Sequence, residues 1–126
     1  MIKKLAILVV DDSPLIVSRL TDLLGELPGI AVVHTASSYE NAVAVLPQIQ
    51  PDVAVLDINL PGKSGIEVLK YIKTNAPAVT VIMLTNQSGD YYRDLCKRLG
   101  ADYFLDKSIG FEETPNIINE LAERKA

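Results

Sequence analysis

The chain has 126 residues, a formal net charge of −4 and 48% hydrophobic residues. These totals are typical of one soluble globular domain and exclude a strongly basic surface that would bind nucleic acid directly. The single cysteine, Cys96, excludes an internal disulfide, and no apolar run approaches the roughly 20 residues of a membrane span. We therefore expect a cytoplasmic protein without membrane insertion.

Five short apolar runs predict strands, at residues 5–10, 30–33, 53–56, 79–84 and 103–105. They are rich in β-branched or aromatic residues and do not alternate with polar ones, which predicts strands that are buried on both faces of a parallel sheet. The first run follows two lysines, as in a signal peptide, but Asp11 and Asp12 end it after six residues.

The segments between these runs have helical periodicity. The first contains apolar residues at steps of three and four, at Ile16, Leu20, Leu23, Leu24 and Leu27. Five strands that alternate with five helices predict an α/β fold with a parallel sheet.

Helix starts and ends are also marked in the sequence. Ser37 with Glu40, and Ser64 with Glu67, have the spacing of capping boxes. Gly100 is suited to the end of the fourth helix.

Polar residues follow four of the five predicted strands, at the point where each strand ends: Asp11, Asp12, Asp57, Thr85 and Lys107. The carboxyl ends of parallel strands lie on one edge of the sheet, where ligands of such folds bind. We therefore expect three acids, a hydroxyl and an amine to converge there.

Each residue also has an ordinary structural explanation. Asp12 or Ser13 could cap the first helix, Thr85 could simply end a strand, and Lys107 could be a surface lysine or could neutralise one acid. However, two carboxylates at about 4 Å repel by about 4 kcal/mol at an effective dielectric constant of ~20. Such a cluster favours a hard cation such as Mg²⁺, with Asp12 and Asp57 as ligands and Asp11 acting through water.

Four motifs carry a resemblance to a known family: VVDDSP at 9–14, VLDINLPGKSG at 55–65, MLTN at 83–86 and FLDKS at 104–108. Together they resemble the receiver domain of two-component response regulators, in particular the stand-alone, chemotaxis-regulator-like type. The resemblance covers essentially the whole chain. It implies a doubly wound, flavodoxin-like sheet with strand order 2-1-3-4-5.

The resemblance also implies a role for each site residue. Asp57 is the expected phosphoacceptor, and Thr85 and Lys107 are expected to contact the phosphoryl group. The expected ligands of Mg²⁺ or Mn²⁺ are Asp11, Asp12, Asp57 and the backbone carbonyl of Asn59.

A switch function follows from the same resemblance. The phosphoryl donor would be a sensor histidine kinase or a histidine phosphotransfer protein, and phosphorylation would change partner binding through the face of the fourth helix, fifth strand and fifth helix. We expect no enzymatic activity beyond self-phosphorylation and self-dephosphorylation. Residues 1–126 would form a single receiver domain without an output domain.

The chain departs from the usual family pattern at three positions. Ser108 follows Lys107 where a cis proline is usual, and Asn86 replaces a smaller residue. Phe104 occupies the position of the switch aromatic, but it lacks a hydroxyl, and the adjacent Tyr103 should face the other way. Two further positions, Asn59 and Gln87, are those that tune the loss of the phosphoryl group to water in this family.

Three other functions use a similar fold or similar site residues. A phosphatase of the haloacid dehalogenase type would need a second aspartate where this chain has Asn59, which does not titrate. A receiver-like module that acts without phosphorylation remains open, although all five site residues are retained. A flavin or dinucleotide carrier is disfavoured, since Asp11 and Asp12 stand where a phosphate would need backbone amides and glycine.

Overall fold

The computed structural model describes residues 3–124 and contains one parallel sheet with helices on both faces. The elements in chain order are β1 (Leu5–Val10), α1 (Pro14–Gly25), β2 (Ile30–Ala36), α2 (Tyr39–Ile49), β3 (Val53–Leu56), α3 (Gly65–Asn75), β4 (Thr80–Thr85), α4 (Asp90–Arg98), β5 (Tyr103–Asp106) and α5 (Glu113–Arg124). The five strands are all parallel, in the order β2-β1-β3-β4-β5. The predicted doubly wound, flavodoxin-like fold is therefore confirmed.

The central strands agree with the sequence pattern better than the edge strands do. The bounds of β1 and β3 are those predicted, whereas β2 extends to Ala36 and β4 lies one residue later than expected. The prediction that every strand is buried on both faces is wrong for β2, where Ala31, Val32 and Thr35 are exposed, and for β5, whose four residues are only half-buried. The reason is that β2 and β5 are the edge strands, each of which pairs with one neighbour only.

The hydrophobic core consists of two layers, one on each face of the sheet. One layer packs residues of α2, α3 and α4, including Leu46, Leu69 and Cys96, against the strands. The other packs α1 and α5, including Leu24 and Ile118, against the opposite face. Among the helices of the described residues, none is long and apolar enough to cross a membrane.

Local caps decide where the helices begin. Ser64 caps α3 as predicted, and its hydroxyl accepts a hydrogen bond from Ile66 N. The capping box with Glu67 is not formed, because the Glu67 carboxylate instead accepts a hydrogen bond from Lys70. The predicted cap at Ser37 is wrong: α2 starts one residue later, and the hydroxyl of Ser38 accepts from Asn41 N at 3.1 Å. Gly100 follows α4 with a φ of 103°, as its predicted role at a helix end requires.

Candidate functional site

The predicted site residues meet at the carboxyl edge of the sheet because the strand ladder continues into the loops. Asp57 N, just after β3, donates to Val10 O at 3.0 Å, and Lys107 N, just after β5, donates to Thr85 O at 3.0 Å. These backbone bonds align the residues that leave neighbouring strands. Residues 11, 57, 85 and 107 are far apart in sequence but adjacent in the fold.

Three carboxylates form the centre of the site. One oxygen each from Asp11, Asp12 and Asp57 lies within 4.8 Å of the others. Asp11 and Asp57 are buried, whereas Asp12 is exposed. Clustered carboxylate oxygens are the ligands that Mg²⁺ prefers, so the residues present fit such an ion.

Lys107 neutralises part of this cluster. Its Nζ lies 2.8 Å from Oδ2 of Asp11 and 2.8 Å from Oδ2 of Asp57, and its side chain is only 10% exposed. Lys107 therefore pairs with two of the acids, where the sequence suggested one, and the formal charge of the four side chains together is −2. Burial by itself would lower the pKa of Lys107, but hydrogen bonds to the two carboxylates hold the pKa above its ordinary value.

Asp11 has a different electrostatic balance. Burial raises the pKa of Asp11, and the hydrogen bonds that it accepts from Lys107 and from Ser13 N do not cancel this effect. The shift in Asp11 therefore favours a neutral acid, while the shift in Lys107 favours the ion pair. The short contact with Lys107, together with the hydrogen bond from Ser13 N to Asp11 Oδ1 at 2.9 Å, stabilises the ionised form of Asp11 and therefore the ion pair.

The cap of α1 is provided by Ser13 and not by Asp12. The Ser13 hydroxyl accepts from Ile16 N at 3.4 Å, and Pro14 is the first residue of the helix. The alternative in which Asp12 is a helix cap is therefore wrong. The exposed carboxylate of Asp12 remains available at the rim of the acidic cluster.

The β3–α3 and β4–α4 loops also contribute residues around Asp57. Asn59 N donates to Asp57 Oδ1 at 3.3 Å, and Gln87 Nε2 donates to Asn59 Oδ1 at 3.3 Å. Thr85 is fully buried, and its hydroxyl accepts from Gln87 N at 3.1 Å. Asn86 is exposed on the same loop. Of the two positions that the sequence suggested as tuning positions, Asn59 therefore contacts Asp57 directly, and Gln87 contacts Asn59.

The two aromatic residues of β5 lie on opposite faces of the sheet. Phe104 packs against the layer of α2, α3 and α4, and Tyr103 packs against the layer of α1 and α5. This confirms that Tyr103 faces away from the position of the switch aromatic. Phe104 is covered by Arg93, whose guanidinium carbon is 4.8 Å from the ring centroid and whose Nη1 donates to Phe104 O.

Two residues that hold the site together were not identified from the sequence. Gly65 packs so closely under Asp57 that a Cβ would lie 1.7 Å from the carbonyl oxygen of Asp57. A glycine at the first helical position, directly after the cap Ser64, was an available signal, since glycine disfavours helix. Asp106 accepts bonds from Ser88 and Ser108, and no local pattern pointed to it.

The peptide bond between Lys107 and Ser108 is trans, since the described residues contain no cis peptide bond. Ser108 N donates to Asp106 Oδ1 at 2.7 Å. A proline at this position would have no N–H to donate. The loop after β5 is therefore held by a hydrogen bond that the usual family residue could not form.

The fold and the site together define a doubly wound α/β domain with an acidic, lysine-containing pocket at the carboxyl edge of its sheet. The sequence model of the response regulator receiver domain matches residues 7–119. The chain therefore belongs to the receiver domain family of two-component response regulators.

Individual relatives agree with this assignment. The DNA-binding transcriptional activator DevR/DosR of Mycobacterium tuberculosis is 38% identical over 91% of this chain and 53% of its own length. A protein-glutamate methylesterase/protein-glutamine glutaminase of Desulfotalea psychrophila is 37% identical over 90% of this chain and 31% of its own. The chain thus spans about a third to a half of the curated relatives that it matches.

Solved structures show the same architecture. The response regulator domain of Thermotoga maritima CheB has a TM-score of 0.82 and 30% identity, with 97% of this chain and 96% of that chain covered. A LuxR-family response regulator from Aurantimonas sp. SI85-9A1 has a TM-score of 0.87 and 28% identity, with 95% and 86% covered. These similarities extend over almost the whole of this chain.

Proposed function

We propose that this domain is a signalling switch in which Asp57 accepts a phosphoryl group. The observation that carries the proposal is the contact at 2.8 Å between Lys107 Nζ and the buried Asp57 carboxylate, inside a cluster of three acids. A nucleophile at the mouth of a strand, a cation beside it and oxygen ligands for a metal are the groups that phosphoryl transfer requires. The family of the chain supports the same function.

The expected donor is a phosphohistidine on a sensor histidine kinase or a histidine phosphotransfer protein. An oxygen of Asp57 attacks phosphorus, the new O–P bond forms, and the N–P bond breaks with its electron pair left on the imidazole. Asp11, Asp12, Asp57 and the Asn59 carbonyl would hold Mg²⁺, which supplies positive charge against the phosphate oxygens. Lys107 and the Thr85 hydroxyl would bind the transferred oxygens.

The proposed output is a change in the surface formed by α4, β5 and α5. A phosphoryl group adds about −1.5 to −2 charges at Asp57 and draws Thr85 and Lys107 toward it. Both residues are at the ends of strands that precede α4 and α5. Tyr91 is 68% exposed on α4, where a protein partner could contact it.

Incubation with acetyl phosphate and Mg²⁺ tests the phosphoacceptor directly. Wild type should gain one acid-labile phosphate, Asp57→Asn should gain none, and Asp22→Asn, an exposed position of α1, is the matched control. Persistent labelling of Asp57→Asn would remove Asp57 from this role. A wild-type chain that gains no phosphate would favour the module that acts without phosphorylation, and turnover of small phosphate esters would favour the phosphatase.

Three expectations about the whole protein stay predictions. They are a single domain without an output domain, a cytoplasmic location, and the absence of enzymatic activity on other substrates. The relatives include proteins in which further chain accompanies the matched region.

A pull-down with and without beryllium fluoride, which mimics a phosphoryl group, would identify partners that recognise the phosphorylated form.

A further inference from the structure

Asp106, the last residue of β5, connects two loops that flank the pocket. Its Oδ2 accepts a hydrogen bond from the hydroxyl of Ser88 in the β4–α4 loop. Its Oδ1 accepts from Ser108 N and from the Ser108 hydroxyl, just after Lys107. One carboxylate therefore joins two residues that are 20 positions apart. Ser88 lies three residues after Thr85, and Ser108 directly follows Lys107.

The backbone of Asp106 also shapes the turn that begins at Lys107. Its carbonyl accepts from Ile109 N at 3.3 Å and from Gly110 N at 2.6 Å. A Cβ at Gly110 would approach that carbonyl oxygen to 3.1 Å, so the turn is tight. Since Lys107 N donates to Thr85 O, the two residues leave backbones that are bonded to each other.

An aspartate at a strand end often forms only a local turn with the residue two positions later. The bond from Ser88 goes beyond that local role, because it crosses from another loop. Hydrogen bonds from the Ser108 side chain and then from Ser88 lower the pKa of Asp106 to about 2. The carboxylate is therefore ionised at neutral pH, and its bonds are charge-assisted.

We propose, resting on the proposed phosphoacceptor function, that Asp106 is a positioning residue for phosphoryl transfer. By binding Ser88 and Ser108 with one carboxylate, it holds the β4–α4 loop at a constant separation from the Lys107 turn. Thr85 and Lys107 are then placed to bind the phosphate oxygens at the same time. Asp106 itself touches neither the acidic cluster nor the transferred group.

Ser88→Ala is the sharpest test, because it removes only the bond between the two loops. Phosphoryl uptake from acetyl phosphate should be measured against donor concentration at saturating Mg²⁺. We expect the maximal rate to fall by about 10-fold, less than the roughly 100-fold that a 1 Å misplacement of reacting groups can cost. The donor concentration at half-maximal rate should change less than the maximal rate, because every charged group that attracts the donor is retained.

Two matched variants separate positioning from folding. Ser88→Thr keeps a hydroxyl and should restore the rate, while Ser18→Ala, at an exposed position of α1, should behave as wild type. Without any donor, Ser88→Ala should also shift the amide resonances of residues 107–110, because the Asp106 carboxylate links Ser88 to that turn. A thermal melt of each variant verifies that it is folded.

The outcomes distinguish this inference from the proposed function. A wild-type chain that takes up no phosphate overturns both. A wild-type chain that is phosphorylated, with Ser88→Ala equally fast, overturns only the positioning role of Asp106. Unchanged amide resonances at residues 107–110 in Ser88→Ala would likewise overturn it, because the two loops would then not be coupled.

Discussion

The ammonium group of Lys107 lies 2.8 Å from Oδ2 of Asp57, and both side chains are almost completely buried. The group that we propose to bind the phosphoryl oxygens thus already neutralises the proposed nucleophile. Lys107 also contacts Asp11 at 2.8 Å. Phosphorylation would convert the Asp57 carboxylate into an acyl phosphate, whose phosphoryl oxygens would compete with Asp11 for the same ammonium. The chemistry of the site is therefore linked to the ion pairs that stabilise its unphosphorylated form.

Removal of the Lys107 charge should destabilise the metal-free protein. In Lys107→Met two buried carboxylates lose their cation, and breaking a buried ion pair from one side costs about 3 kcal/mol. Urea denaturation in EDTA measures the loss, and Mg²⁺ should recover part of it. Lys97→Met, at an exposed position of α4, is the control. A Lys107→Met protein as stable as wild type in EDTA would show that the pair contributes little.

Mg²⁺ should stabilise the folded state by linkage, by about 2.7 kcal/mol at 100 times its dissociation constant. Asp12→Ala should abolish this effect. Because Asp12 is exposed and Ser13 caps α1, the metal-free Asp12→Ala protein should be slightly more stable than wild type, through relief of repulsion. Asp22→Ala should keep the full response to Mg²⁺. A lower metal-free melting temperature for Asp12→Ala would contradict the repulsion argument.

Gly65→Ala should damage the fold close to Asp57. The added Cβ would lie 1.7 Å from the Asp57 carbonyl oxygen, so α3 or the loop must move, at a cost of about 3 kcal/mol. Gly89→Ala is the matched control, because Gly89 is also at the start of a helix, as the N-cap of α4, and a new Cβ there would have no atom within 4 Å. Chemical denaturation compares the two. Equal stabilities would mean that the backbone contact at Gly65 is not tight.

The carboxyl of Asp106 should titrate unusually low, with a pKa of about 2. Since the folded value is below the ordinary 3.8, Asp106 stabilises the fold above its ordinary pKa, and this contribution is lost as the pH falls through about 2. In Ser88→Ala and Ser108→Ala the pKa of Asp106 should rise. Carboxyl ¹³C NMR measures these values. No rise in either variant would show that the hydroxyls do not bind the carboxylate.

A phosphoryl mimic should reveal the proposed output face. Beryllium fluoride with Mg²⁺ should shift the amide resonances of residues 86–99 and 103–109 more than those of residues 38–50, which comprise α2 and its two caps. The reason is that Thr85 and Lys107 belong to the β4 and β5 ends, beside α4 and α5. Equal or larger shifts in α2 would reject this face. No shift outside the site would indicate a domain that accepts phosphate without changing its surface.

The sequence by itself predicted the fold and the residues that the sheet brings together. Short apolar runs rich in valine, such as residues 53–56, favour buried strands, and their alternation with helical segments favours parallel pairing. Parallel strands place their carboxyl ends on one edge, and the strand order that makes Asp11, Asp57 and Lys107 neighbours there is what the receiver resemblance implies. The predicted start of α2 was wrong by one residue, since the cap is Ser38 and not Ser37. The predicted burial of β2 was also wrong, because the edge position of a strand is decided by the whole sheet and not by the strand's own sequence.

Only the tertiary structure decided how these neighbours are bonded. That Lys107 contacts Asp11 as well as Asp57, that Ser88 reaches Asp106, and that Gly65 leaves room for the Asp57 carbonyl depend on distances between distant parts of the chain. Sequence periodicity reports which face of an element is buried, because burial repeats along the element. It does not report side-chain partners, because a hydrogen bond is decided by the relative placement of two backbones to within a few tenths of an ångström.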